Sequence, residues 1–247
     1  MKNLNESVTI ITGGSSGIGA ATALKLAAAG SKIVLVARAD DKIEKVKKQI
    51  EDNGGRAEIF VADVTDFAQM SAMVEFTIEK FGRVDNLINN AGLMLFSQWK
   101  DTAVEEWNAM VDTNIKGYLN TLAAVLPKLL NQKKGHIVNM GSVAGINIGI
   151  GAGVYHGTKF FVKAMTESLR KEIAVHNGIK ISLISPGVIN TGWADKVTNK
   201  EGAEIAAKLN KEAIEPEDVA NAVLFAFTQA DNVSINDIVI SPTSQNW

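Results

Sequence analysis

Val8-Thr9-Ile10-Ile11-Thr12-Gly13-Gly14-Ser15-Ser16-Gly17-Ile18-Gly19 is the stretch on which the reading of this chain turns. A run of β-branched residues breaks into glycines and serines, and an alanine-rich segment ending at Gly30 follows at once, which spells strand, tight turn, helix. Glycines remove Cβ atoms where a chain turns sharply or must approach a ligand, and a new helix offers unpaired N–H groups and a positive dipole end to an anion. The stretch therefore reads as a phosphate cradle, although an ordinary strand-to-helix turn would also use such glycines. A phosphoryl-transfer loop would continue with Lys and then Ser or Thr, but Ala20 and Ala21 follow Gly19, which removes kinase and ATPase readings. Three residues separate Gly13 from Gly17 and one separates Gly17 from Gly19, so the spacing also departs from G-x-G-x-x-G.

Length and composition bound the remaining classes. A chain of 247 residues, 46% of them hydrophobic, fits one large α/β domain. The net charge of −2, with acids and bases interspersed, gives no electrostatic footprint for nucleic acid or a membrane surface. Cysteine is absent, which removes disulfides, thiol catalysis and cysteine metal sites. Met1 to Val8 lacks the apolar core of a signal peptide and no apolar run is long enough to span a bilayer, so the expectation is a cytoplasmic protein.

Strand and helix alternate along the chain. Ile33 to Val36 forms a second strand, followed by Ala37-Arg38-Ala39-Asp40-Asp41 and a lysine-rich helix that stops at Gly54-Gly55. An acidic residue about twenty positions past the glycine turn would suit the ribose 2′-hydroxyl of NAD, whereas a nearby Arg suits a 2′-phosphate. Here Arg38 follows the strand end, and its fork of donors favours NADP(H), while Asp40 or Asp41 serves as a helix cap. Glu58 to Ala62 makes a third strand, and Asp63 after it reads equally as an adenine contact or a plain turn aspartate. Thr65 or Asp66 can cap the next helix, which runs to Phe81-Gly82. A fourth strand, Val84 to Ile88, leads into Asn89-Asn90-Ala91-Gly92, where amides can tie loop backbone together and small residues admit a ligand. This alternation requires a parallel, right-handed, doubly wound sheet.

A long helix from about Val104 to Gln132 holds Asn114 near its middle, where an Asn either distorts the helix or binds something. His136 to Met140 is a fifth strand, ending in Gly141-Ser142-Val143-Ala144-Gly145 at the carboxyl edge where doubly wound sheets bind ligands. Tyr155 and Lys159 follow on one helical face. A free phenol titrates near pH ~10, so a neutral-pH base requires roughly 4 kcal/mol of phenolate stabilisation, toward which an ammonium and a charged nicotinamide ring both push.

Taken together, Thr12 to Gly19, Asn89-Asn90-Ala91-Gly92, Asn114, Ser142, Tyr155-x-x-x-Lys159 and Pro186-Gly187 closely resemble the short-chain dehydrogenase/reductase family, over essentially the whole chain. The resemblance implies a Rossmann fold and an oxidoreductase in which Tyr155 exchanges a proton with a carbonyl or alcohol oxygen and Ser142 hydrogen-bonds that oxygen. It implies that Lys159 holds the nicotinamide ribose and lowers the Tyr155 pKa, and that Asn114 anchors water in a proton relay. Cofactor contacts are implied at Gly13, Ser15, Ser16, Gly17, Ile18, Gly19, Arg38, Asp63, Val64, Asn90, Ala91, Gly92, Tyr155, Lys159, Pro186, Gly187, Ile189 and Thr191. Within the family, Arg38 resembles the NADP-preferring subgroup, and the tail Asn236 to Gln245 resembles members acting on small hydroxy acids and related alcohols. One departure is the use of His156-Gly157-Thr158 between Tyr155 and Lys159.

Several expectations complete the reading. His156 points about a third of a turn from Tyr155 and reads as packing, and His136 and His176 do not assemble with it into a metal site, so no metal is expected. Gly192 to Lys211, after the sixth strand Lys180 to Ser185, suits a substrate lid spanning about 190–212. Pro216 opens the next helix, and Ile235 to Ile240 supplies the last strand. Met94, Val143, Ile148, Val154, Val188 and Trp193 are expected pocket liners, which suits a carbonyl with a modest apolar substituent, and Lys196 or Lys200 could meet a substrate carboxylate. Resemblance also suggests a homotetramer. Two function classes stay open: an NADP(H)-dependent carbonyl reductase or alcohol dehydrogenase, and a dinucleotide-binding regulatory or scaffold protein without turnover.

Overall fold

The computed structural model describes residues 4–38, 41–197 and 200–246. Seven strands form one parallel sheet: β1 Val8–Thr12, β2 Lys32–Ala37, β3 Arg56–Val61, β4 Asn86–Asn89, β5 Gly135–Met140, β6 Ile179–Pro186 and β7 Asp237–Ile240. Their order is β3-β2-β1-β4-β5-β6-β7. The chain builds outward from β1 in one direction, then returns to pair β4 against its other side, placing Ile10 beside both Val34 and Leu87. That reversal opens a crevice beyond the carboxyl ends of β1 and β4.

Side-chain alternation explains why both faces are covered. Along β1 and β2, Ile11, Ile33 and Leu35 pack into one core with helices α1 (Gly17–Ala28), α2 (Asp41–Asp52) and α9 (Pro216–Phe227). Their neighbours Ile10, Val34 and Val36 point the other way, into a core shared with α3 (Phe67–Phe81) and α5 (Gly117–Gln132). Strands buried on both faces read as the continuous apolar runs seen in the sequence. Three further helices are α4 (Val104–Val111), α6 (Gly153–Leu169) and the short α7 (Val175–Asn177). Beyond them, α8 (Lys200–Asn210) lies near the crevice mouth.

Local signals explain the element ends. Asp66 is the residue that caps α3, its carboxylate accepting the Gln69 N–H at 3.1 Å, and Pro216 stands in the first turn of α9. The fourth strand starts at Asn86, not Val84, because Asp85 is engaged by its side chain, accepting the Val8 N–H at 2.9 Å while Arg83 clamps the same carboxylate. The expected single helix Val104–Gln132 is interrupted: Asp112–Lys116 winds as a π-turn between α4 and α5. Asn114 sits inside that turn and is fully buried, so the awkward helical Asn both distorts the helix and binds something. Among the described residues no helix is long and apolar enough to cross a membrane.

Candidate functional site

The cradle is held by backbone geometry. Gly13 has φ +67°, and a Cβ added there would come within 2.9 Å of Asn90 Nδ2 and 3.0 Å of Ala91 Cα. Thr12 Oγ1 accepts the N–H groups of Asn90 at 2.9 Å and Ala91 at 3.0 Å, and Asn90 Nδ2 donates to Thr12 O at 3.0 Å. Asn90 thus ties β4 to the glycine turn, as its amide chemistry suggests, while Ala91 and Gly92 continue along the crevice floor. At the head of α1 the N-cap Ser16 makes no side-chain cap bond, and the first turn holds no acidic residue. Gly17 has φ +53°, and a Cβ there would approach Thr191 Cγ2 to 2.9 Å, so the segment after β6 closes onto the turn after β1. An uncapped, acid-free helix start walled by glycines fits a dinucleotide's phosphates.

At the rim, Arg38 follows β2 and is exposed, with Ala37 rather than an acid at the strand end. Asp41 falls in the first turn of α2, whereas Asp40 lies outside the described residues. Asp63 Oδ1 accepts the Thr65 N–H at 2.9 Å and its hydroxyl at 2.8 Å, the bonds of a turn aspartate and a geometry compatible with either of its two readings. Val64 is buried against Gly117, where an added Cβ would approach Val64 Cγ2 to 2.6 Å. Ile189 sends its side chain into the core beside α9, which leaves only its backbone for a ligand. Pro186 ends β6, and the Gly187–Val188 loop beyond it is pinned by Gln245, whose Oε1 accepts the Val188 N–H at 3.0 Å.

Four side chains converge at the ends of β4, β5 and α6. Lys159 is 4% exposed and donates from Nζ to Met140 O at 2.8 Å. The fully buried Tyr118 donates its hydroxyl to the same carbonyl at 2.9 Å, and the Lys159 ammonium lies 5.5 Å from the Tyr118 ring centre and 5.8 Å from that of Tyr155. The Ser142 and Tyr155 hydroxyls are hydrogen-bond partners; Ser142 Oγ accepts the Ala144 N–H at 3.1 Å, and its one proton serves either the Tyr155 oxygen or Pro186 O, which lies 3.4 Å away. Asn114 braces the loop opposite: Oδ1 accepts the Leu93 N–H at 2.8 Å, while Nδ2 donates to Leu93 O at 2.8 Å and Thr158 Oγ1 at 3.1 Å. Its amide is committed to this brace, so a water-anchoring role would fall to other atoms of the turn.

Burial sets the protonation states. It holds the Tyr155 phenol above its ordinary value, opposed by the Ser142 hydrogen bond, and lowers Lys159 to about 8. From the protein's own groups desolvation is the larger influence and Tyr155 is a proton donor; the charged nicotinamide ring on which the sequence argument also relied would push the phenol the other way. Tyr118, pushed far up by burial, does not ionise at ordinary pH.

Apolar side chains gather beside Tyr155. Met94 and Trp193 pack there, joined by Phe96, Ala152, Val197, Ala194 and Ala203. Val143, Val154 and Val188 are half-buried, and Ile148 is 71% exposed, outside the packed lining because its loop turns outward. The Lys196 and Lys200 side chains lie outside the described residues. On α8, Glu201 accepts from Gln98 Nε2 at 2.9 Å and pairs with Lys100 at 3.3 Å, while Gly202 fits against Phe96.

Sequence reasoning missed Phe96, Thr158, Tyr118 and the bracing use of His156. A signal for Phe96 existed in Gly151 and Gly202, since a Cβ at either would strike its ring. His136 serves the core, its ring against Phe227 and Nε2 2.8 Å from Ser182 Oγ. Among the described residues no group of three or more metal-ligating side chains converges.

The family model described as short chain dehydrogenase matches residues 7–202. An uncharacterized oxidoreductase of Staphylococcus saprophyticus is 41% identical over 247 residues, covering all of both chains. Among solved structures, the closed form of a serine dehydrogenase complexed with NADP+ has a TM-score of 0.88 at 29% identity, covering 97% of this chain and 96% of the other. A xylitol dehydrogenase bound to NAD+ has a TM-score of 0.88 at 26% identity, covering 98% and 100%. The glycine turn at the switch of a seven-stranded Rossmann sheet, the grouping of half-buried Ser142 and Tyr155 with buried Lys159, and these likenesses lead to one conclusion: the chain belongs to the short-chain dehydrogenase family and is an oxidoreductase of that family.

Proposed function

We propose that the protein is an NADP(H)-dependent reductase of small ketones or aldehydes, able to run in reverse as an alcohol dehydrogenase. The observation that carries this reading is the convergence of a half-buried, proton-bearing Tyr155 with Ser142 and Lys159 beside an apolar wall. Arg38 at the end of β2, with no acid in the position that would take a ribose hydroxyl, favours a 2′-phosphate over NAD. The bound nicotinamide would supply the hydride, and everything else is done by this chain. Tyr155 donates its phenolic proton to the carbonyl oxygen as charge develops there, Ser142 Oγ donates a hydrogen bond to that oxygen, and solvent then reprotonates Tyr155. Lys159, cationic below its value of about 8, stabilises the transient phenolate and would hold the nicotinamide ribose of a bound cofactor.

Met94, Phe96 and Trp193 suit a modest apolar substituent on the carbonyl. The keto-acid and hydroxy-acid variant of the substrate rests on the resemblance of the tail Asn236 to Gln245, in which Gln245 Oε1 accepts the Val188 N–H of the loop after β6. Residues 190–212 act as the lid, with Glu201 latching it to the 93–101 loop. Exposed Leu119, Phe160, Phe225 and Val239 on α5, α6, α9 and β7 support a homotetramer. The reading is tested by following reduced nicotinamide absorbance with NADPH and NADH separately against small ketones, aldehydes and keto acids. Consumption with NADPH preferred, and a preference cut roughly 10- to 100-fold by Arg38→Ala, is expected from the loss of charged hydrogen bonds. A clear NADH preference would overturn the Arg38 argument, and binding without consumption of either cofactor would overturn the reductase reading.

A further inference from the structure

His156 follows Tyr155 directly, and a step of one residue along a helix turns it away from the face that carries Tyr155 and Lys159. What it meets is the loop that bears Ser142. Nδ1 lies 2.9 Å from Ala144 O, and the Gly149 N–H donates to Nε2 at 3.1 Å. A peptide N–H only donates, so Nε2 must offer its lone pair and Nδ1 must carry the proton that goes to the Ala144 carbonyl. Two backbone groups seven and twelve positions away thereby fix one neutral tautomer of a half-buried ring. The Ala144 peptide is not a neutral place to hold: its N–H donates to Ser142 Oγ at 3.1 Å, the oxygen that also bonds Tyr155. One turn further along α6, Gly145 lies so close to the Lys159 carbonyl that an added Cβ would come within 2.7 Å of it. The Ser142 loop is therefore fastened at two points to the helix that carries Tyr155 and Lys159.

We propose that His156 is a positioning residue of the active site, setting Ser142 against Tyr155 by holding the Ala144 peptide through Nδ1 and the outer loop through Nε2. The inference rests on the reading that Ser142 and Tyr155 act together on a carbonyl oxygen. The two ring nitrogens have different consequences, because only the Nδ1 bond leads to Ser142. An Asn amide can replace the donor at Nδ1, whereas a Gln amide reaches toward the Nε2 position.

The test is a double-mutant cycle on turnover with NADPH and the best carbonyl of the panel, with NADPH affinity measured alongside. His156→Ala is expected to lower kcat about 10- to 100-fold in the wild-type background, the scale of a displaced catalytic group. In a Ser142→Ala background the same change should lower it less than about threefold, since its effect passes through Ser142. His156→Asn should retain most of kcat, His156→Gln should behave like Ala, and NADPH affinity should stay within about twofold in all three. Equal losses in both backgrounds, or Asn and Gln variants that behave alike, would overturn the proposal and leave His156 as loop packing. A turnover-independent arm separates failure of this idea from failure of the reductase reading. Tyr118 and Tyr155 are the two tyrosines of the chain, so in a Tyr118→Phe background phenolate absorbance reports Tyr155 alone. There His156→Ala should raise the Tyr155 midpoint by weakening the Ser142 bond that lowers it; an unmoved midpoint would overturn the proposal even if no carbonyl is ever reduced.

Discussion

The cradle and the apolar wall face each other across the crevice and are built by opposite means. The cradle is a backbone object: positive-φ glycines, Thr12 and Asn90 cross-ties, and a helix start without a side-chain cap. The wall is a side-chain object in which Phe96 fits against Gly151, Gly202 and Val197, and α8 is joined to the facing loop at its surface through Glu201. Backbone geometry admits few residue types, whereas apolar packing tolerates many of similar volume. The difference teaches that few residue types satisfy the geometry of the cradle, whereas many of similar volume would satisfy the packing of the wall.

Lys159 stands between the two halves and should give the largest effect. Lys159→Met is expected to cut turnover by about 10²- to 10⁴-fold, as for loss of acid–base support. It should also stabilise the fold, because the buried ammonium is held at about 8 against its ordinary 10.5. Over that window the unfolded chain binds more protons than the folded one, so wild-type stability rises with pH. The cost of burial, on the order of 3 kcal/mol, is thus fully present below pH about 8 and fades toward ~10. Melting temperatures of the two proteins across this range should converge as pH rises; a gap that widens would contradict the assignment.

Gly17→Val addresses the cradle side. A β-branched residue at φ +53° with Thr191 Cγ2 at 2.9 Å from its Cβ must push the loop outward. NADPH affinity should fall by at least ~100-fold while the sheet survives, measured by fluorescence titration and circular dichroism. An affinity within a few-fold of wild type would show that the cradle is not backbone-limited. Glu201→Gln, on the wall side, removes only exposed contacts to Lys100 and Gln98. Stability should change by less than about 1 kcal/mol. KM for the carbonyl should shift by a few-fold with kcat nearly constant, as for loss of uniform binding. A large kcat effect would mean that α8 does more than cover the site.

The same contrast explains what could be read in advance. The parallel, doubly wound sheet and the strand-turn-helix at Gly13 to Gly19 followed from β-branched runs, glycine spacing and the strand-helix alternation, because each of these is a local constraint, whereas the order of the strands is set by long-range pairing and emerges from the structure. The π-turn at Asp112–Lys116 was half-legible in Asn114, an Asn too costly for a helix interior, but its partners Leu93 and Thr158 come from distant segments. Ile148 was expected in the pocket from hydrophobicity alone, yet its loop direction is set by His156 and Phe96, which no local pattern announces. Asp63 illustrates the limit from the other side: its chemistry allowed two roles, and the bonds to Thr65 that shape its turn are compatible with both.

The central claim, direct hydride delivery with Tyr155 as the proton donor, is tested most directly with NADPH deuterated at the transferable position of C4. The account predicts that the label appears on the carbinol carbon of the alcohol formed by the wild-type protein, with a rate slowed by the heavier isotope, and that Tyr155→Phe binds the cofactor but forms no labelled product. Cofactor bound with no label transferred to any carbonyl, or full transfer by Tyr155→Phe, would contradict it.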